Sequence, residues 1–71
     1  VEDQTIEYNE QILKAMEAGN LEKMEELENK MMDWYESLSE ADQEKSDDAS
    51  NEWGMENMSR IERAALAADL W

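Results

Sequence analysis

The chain has 71 residues and carries 20 acidic against 6 basic side chains, a formal net charge of -14, with no histidine, cysteine or proline. That balance argues against nucleic acid and anionic membrane surfaces as partners, since binding to either draws on lysine and arginine set against phosphate. It also removes histidine-based acid and base chemistry, thiolate chemistry and disulfides together.

A chain this short holds one domain, residues 1–71, with a thin core. Alanine and methionine supply much of its apolar content, so the expected core leans on Ile12, Leu13, Leu27, Leu38, Ile61 and the tryptophans. Ile6, Ile12, Leu13 and Met16, with Tyr8 and Ala15 beside them, recur at the helical period and predict a helix over about 3–18. Gly19 should stop it by taking up the left-handed conformation, and Asn20 is a good N-cap for a second helix. Leu21, Met24, Leu27, Met31, Trp34, Tyr35 and Leu38 form one stripe of that helix over about 21–37. Ser39, with Asp42 three residues on and Glu40 in the first turn, opens a third.

The third helix is expected over about 40–69, with Trp53, Met58, Ile61, Ala65 and Ala68 as its buried series. One continuous helix is favoured over two, because neither proline nor glycine interrupts it before Gly54. Should it break, Ser46, Asp47, Asp48 and Ser50 mark the place, since their side chains compete for backbone hydrogen bonds. Its span of about 45 Å against about 26 Å for each of the others leaves an overhang, exposed or used for association. Short connections favour antiparallel neighbours. The expected fold is all-α, a small antiparallel three-helix bundle, up-down-up, with a longer third helix.

The sharpest local pattern is acidic: Glu40, Glu44, Asp48, Glu52 and Glu56 stand at four-residue steps and lead to Arg60. Glu44, Asp48 and Glu52 are candidate contacts for a basic partner or a loosely held cation, though an ordinary solvated face of an acidic chain is the favoured reading. A four-residue step drifts around the helix, so the carboxylates do not all point one way. Glu10 with Lys14, Glu26 with Lys30 and Glu56 with Arg60 stand at the spacing of local helix support. No Glu-x-x-His, zinc motif, EF-hand loop, nucleophile elbow or phosphate-cradling loop is present. No catalytic residue, cofactor or metal ligand is therefore assigned, and an enzyme is not expected.

Trp34 and Trp53 are expected in the core. Met32 and Met55 fall off the main stripes and Trp71 ends the chain, which makes these three the candidates for an exposed apolar contact. Ala64, Ala65, Ala67 and Ala68 give the last helix a narrow surface that admits a close neighbour, within the chain or from a second copy.

The stretches Ala18-Gly19-Asn20-Leu21-Glu22-Lys23-Met24-Glu25-Glu26-Leu27 and Leu38-Ser39-Glu40-Ala41-Asp42-Gln43 resemble the small helical domains of uncharacterised exported lipoproteins of gut-type bacteria. The resemblance implies an envelope location and no assigned activity. Those proteins are anchored through a lipid-bearing cysteine before the mature domain, which would here belong to a removed segment. The absence of cysteine itself fits a cytoplasmic and an exported protein alike. No stretch approaches the roughly 20 apolar residues of a membrane span, so direct insertion by this segment is not expected. The expected function is a non-catalytic helical module for protein interaction, self-association or structure, the soluble part of an exported bacterial protein. The alternative is an acidic inhibitor or decoy that covers a basic protein surface.

Overall fold

The computed structural model describes residues 1–68, which form four helices: α1 (Glu2–Glu17), α2 (Leu21–Glu36), α3 (Glu40–Glu56) and α4 (Met58–Ala67). The first two boundaries arise from local chemistry. Gly19 sits at φ 70°, and the amides of Gly19 and Asn20 donate to the carbonyls of Met16 and Ala15 at 2.9 Å each, the paired bonds that close a helix on a left-handed residue. The Asn20 side chain then accepts the Lys23 amide at 3.2 Å, and Ser39 accepts that of Asp42 at 3.3 Å. Each supplies an acceptor to a helix start that has no intrahelical one.

The expected three-helix bundle with a longer third helix is corrected by a break at Asn57. Its φ of -112° and ψ of 16° leave the helical region, and its Nδ2 donates to the Trp53 carbonyl at 2.9 Å, alongside its own backbone amide at 3.0 Å. A side chain that satisfies the last carbonyls of α3 competes with the next helical turn, and Gly54 has already lowered the helical preference there. The run from Ser46 to Ser50, expected to be the weak place, is continuous helix.

Helix α1 is the centre of the molecule, packing on α2, α3 and α4. Contacts from α1 to the arm formed by α3 and α4 rise in step along both: Thr5 meets Ser46, Asn9 meets Ser50, Glu10 meets Trp53 and Glu17 meets Arg60. The arm therefore runs parallel to α1, as an up-down-up course requires. Helices α2 and α3 are linked near their connection, where the Tyr35 hydroxyl donates to the Asp47 carboxylate and Gln43 Nε2 to the Tyr35 carbonyl.

Among the described residues the buried apolar set is small: Leu13, Ala15, Leu27, Ala64 and Ala65. Of the expected core, Leu13 and Leu27 are buried, while Ile12, Leu38, Ile61, Trp34 and Trp53 are only half-buried. The alanines of α4 take over part of that role, since their short side chains let α4 lie close on α1. The extents of 35 × 24 × 18 Å match a layer of short helices around α1. Among the described residues no helix is long and apolar enough to cross a membrane.

Candidate functional site

The arm is tied to α1 by polar groups where a bundle of this size ordinarily uses aliphatic ones. Thr5 and Ser46 are fully buried, and their hydroxyl oxygens lie 2.7 Å apart. Thr5 donates its single hydroxyl proton to the Val1 carbonyl at 2.9 Å, so Ser46 is the donor to Thr5. One turn on, Asn9 Nδ2 donates to Ser50 Oγ at 3.1 Å. Helix α3 thus meets α1 along a side made of Ser46, Ser50 and Trp53, which explains why its one buried residue is a serine.

Arg60 closes the seam. Its Nη1 donates to both Glu10 oxygens at 3.1 and 3.0 Å, and its Nε and Nη2 donate to the Glu17 oxygens at 3.2 and 2.9 Å. Glu10 Oε1 also accepts the Trp53 indole N–H at 3.1 Å, which fixes the plane of that ring. The Arg60 hydrogen bonds hold the Glu17 carboxyl below its ordinary range, and the two carboxylates push the guanidinium further toward its charged form. Of the ion pairs expected within helices, Lys30 with Glu26 forms at 3.3 Å, with Lys23 on the same carboxylate at 3.8 Å. Glu10 and Arg60 leave their expected partners Lys14 and Glu56 for each other. Helical spacing could not show this, because a planar guanidinium between two carboxylates is a tertiary arrangement.

Beside the seam a groove of about 300 Å³ opens between α1 and α3. Ile6, Ala49 and Trp53 supply its apolar lining, and Glu2, Asp48, Glu52, Glu56 and Lys45 its charged lining. Two of the acidic candidates, Asp48 and Glu52, are brought together here with Glu2, which sequence reasoning did not single out. Glu44 is exposed on α3 outside that lining. Four carboxylates in one groove with an indole and two aliphatic side chains suit a cationic head on an aliphatic stem. Among the described residues no group of three or more acidic side chains is placed to hold a metal ion.

The apolar candidates fall differently. Met32 lies on α2 at 59% exposure, and Met55 on α3 at 71%. They occupy separate helices and form no common strip. Across the break at Asn57, Met58 at 56% and Leu66 at 66% exposure stand on α4; within their own helices, spacing sets Met55 opposite Trp53 and Leu66 opposite Arg60 and Ala64. Met58, expected in the buried series, is exposed; it stands five residues after Trp53, a step that even an unbroken helix would not bring back to the same face. Trp71 lies outside the described residues.

On the other flank of α1, the Tyr8 and Trp34 rings meet at 5.5 Å between centroids and 39° between planes, an attractive tilted pair that keeps α2 in register. The Tyr35 hydroxyl titrates above its ordinary value through partial desolvation and the neighbouring Asp47 carboxylate. No family model, curated protein or solved structure matches this chain.

Proposed function

We propose that this chain is a non-catalytic helical interaction module that engages a protein through the outer face of the α3–α4 arm. The observation that supports it most is Met55, the most exposed large hydrophobic side chain among the described residues, with Met58 and Leu66 also exposed on α4. Single exposed apolar residues are ordinary on a surface, and it is the occurrence of three on the α3–α4 arm that supports reading it as a contact surface. The non-catalytic reading rests on the lack of histidine and cysteine. Its placement as the soluble part of an exported bacterial protein rests on the resemblance carried by residues 18–27 and 38–43.

The test is capture of proteins from the source organism's extract on the immobilised chain, beside a Met55→Ser/Leu66→Ser variant, at low and raised salt. A partner held by the parent chain at raised salt, and lost from a variant of unchanged helicity, supports the apolar face. Equal retention by the variant refutes it.

The groove between α1 and α3 favours a second mode, binding of a basic segment as an acidic inhibitor or decoy. Its support is the set Glu2, Asp48, Glu52 and Glu56 over the Trp53 ring. Such binding weakens steeply with salt, because exposed charges are screened within about 10 Å at 0.1 M ionic strength. Charge reversal at Asp48 and Glu52 should abolish it; binding that survives both salt and reversal rules it out.

A further inference from the structure

We propose that the α3–α4 arm is a two-state element hinged at Asn57. In its clamped state Arg60 holds α4 to α1 through Glu10 and Glu17; in a second state α3 and α4 are one continuous helix and Arg60 pairs with Glu56. One guanidinium thus exchanges partners as one helical break closes. Three features carry this.

The first is the shallowness of the break. Asn57, at φ -112° and ψ 16°, stands about 50° and about 60° from the helical values of about -63° and about -42°. The helical ladder already enters and leaves it: its amide donates to the Trp53 carbonyl at 3.0 Å, and its carbonyl accepts the Ile61 amide at 2.9 Å. The rungs between are open. Among the described residues no backbone bond joins the Met58, Ser59 and Arg60 amides to the Gly54, Met55 and Glu56 carbonyls. The chain has no proline to hold them open, and a continuous helix closes them all.

The second is the slightness of α4's own hold. Its 10 residues fall short of the roughly 12–15 at which an isolated helix becomes even marginally stable. Its first turn has neither a side-chain cap nor an acidic residue, because the Asn57 amide group is turned back to Trp53. Its buried residues are two alanines, Ala64 and Ala65. Among the described residues the side-chain hydrogen bonds from α4 to α1 all come from Arg60. As an extension of α3, by contrast, α4 needs neither a cap nor a nucleus of its own.

The third is that the clamped groups have second partners at helical spacing. Glu56 precedes Arg60 by four residues, and Glu10 precedes Lys14 by four, the order that favours an ion pair along a helix. Glu56 and Lys14 are exposed, and among the described residues neither holds an ion pair in the clamped state. Glu17, with 40% of its side chain exposed, passes to water on release. Exposed pairs are weak, so it is the closed backbone rungs that chiefly balance the clamp.

The exchange also changes the surface of the arm. In the continuous helix Met55 and Leu66, 11 residues apart, stand close to three turns apart on one face. The exchange stands or falls independently of whether that face binds a protein.

The experiment is nuclear magnetic resonance of the isotope-labelled full chain. It reads the Asn57 Cα shift, the exchange of the Met58, Ser59 and Arg60 amides, and the titration of the Glu17 carboxyl. Glu10→Gln/Glu17→Gln weakens the clamp and keeps Glu56 beside Arg60. The Asn57 shift should then move to helical values, and those amides should exchange about threefold or more slowly, as a majority continuous state requires. Adding Glu56→Gln to that chain should reverse much of the gain. Asn57→Ala, which keeps the carboxylates and removes the cap, should slow the same amides and let Glu17 titrate back toward its ordinary 4.5.

Hinge shifts and exchange that stay unchanged in these variants overturn the inference, as does a gain that Glu56→Gln leaves untouched. Loss of helical shifts through α4 also overturns it, since α4 then unravels on release instead of joining α3. If the Glu10/Glu17 variant fails to fold, Asn57→Ala decides. Slowed amides with a raised Glu17 value support the exchange; unslowed amides, or slowed ones with Glu17 still depressed, refute it.

Discussion

Replacing Thr5 with valine isolates the buried hydroxyl pair that joins α1 to α3. Valine keeps the shape of threonine and removes only the oxygen. The Val1 carbonyl retains a partner in the Thr5 amide at 3.0 Å, but the Ser46 hydroxyl, 1% exposed, loses the acceptor at 2.7 Å. A buried donor left without a partner costs about 1–3 kcal/mol. In Ser46→Ala the Thr5 hydroxyl still donates to Val1, so only a neutral bond is lost, about 0.5–1 kcal/mol. In the double variant no polar atom is stranded, and the combined cost should fall short of the sum by about 1 kcal/mol. A chain of this size has roughly 4–10 kcal/mol of stability in all. Thr5→Val should therefore lower the melting temperature by about 4–24 °C, at about 4–8 °C per kcal/mol for a domain of this size. Urea titration of the four proteins, monitored by far-UV circular dichroism, measures the cycle. Additive costs, or a Ser46→Ala as damaging as Thr5→Val, would refute the assigned direction of the bond and its role in stability.

The two glycines should respond to alanine with opposite signs. Each has open space where a Cβ would go, but Gly19 stands at φ 70° whereas Gly54 lies in the last turn of α3. Gly19→Ala should cost about 1 kcal/mol in backbone strain and Gly54→Ala should gain about 0.5–1 kcal/mol in helix preference, both read from urea midpoints. The same sign at both would contradict the left-handed cap. Glu17→Gln should be less stable than the parent chain at neutral pH. Because Arg60 lowers the folded-state value of Glu17 below its ordinary 4.5, this difference should persist above about pH 4.5 and close as the pH falls through the lower folded value. A gap that widens in acid would contradict the clamp.

The local signals in the sequence and the tertiary ones differ in how far they could be read. Gly19, Asn20 and Ser39 set helix ends through bonds to residues within five positions, so composition and spacing suffice to place them. Asn57 acts through the Trp53 carbonyl, and the gain from ending α3 there includes the docking of α4, which no window of sequence contains. The core expectation leaned on large side chains, yet the contact between α1 and α3 is made by Thr5, Asn9, Ser46 and Ser50. The signal for it was present: Thr5 and Asn9 precede Leu13 at four-residue steps, on the same side of α1. Polar identity disguised them as solvated positions. The groove was half legible, since Asp48 and Glu52 belong to the acidic run, while Glu2 and Ile6 reach it only through the register that the hydroxyl pair fixes.

The central place of α1 governs the order in which the molecule assembles. Its contacts with α2 close across a single tight connection, whereas those with the arm join residues 41 to 50 positions apart. Short loops close first and at the lowest entropic cost, so the α1–α2 hairpin is expected to form as an early unit, steadied by the Tyr8–Trp34 pair. The arm reaches its own hydrogen-bonding partners only after that hairpin presents Thr5, Asn9 and Glu10 along one face. Until then α3 has few apolar side chains to hold it anywhere, and its acidic surface keeps the waiting segment hydrated and apart from other chains.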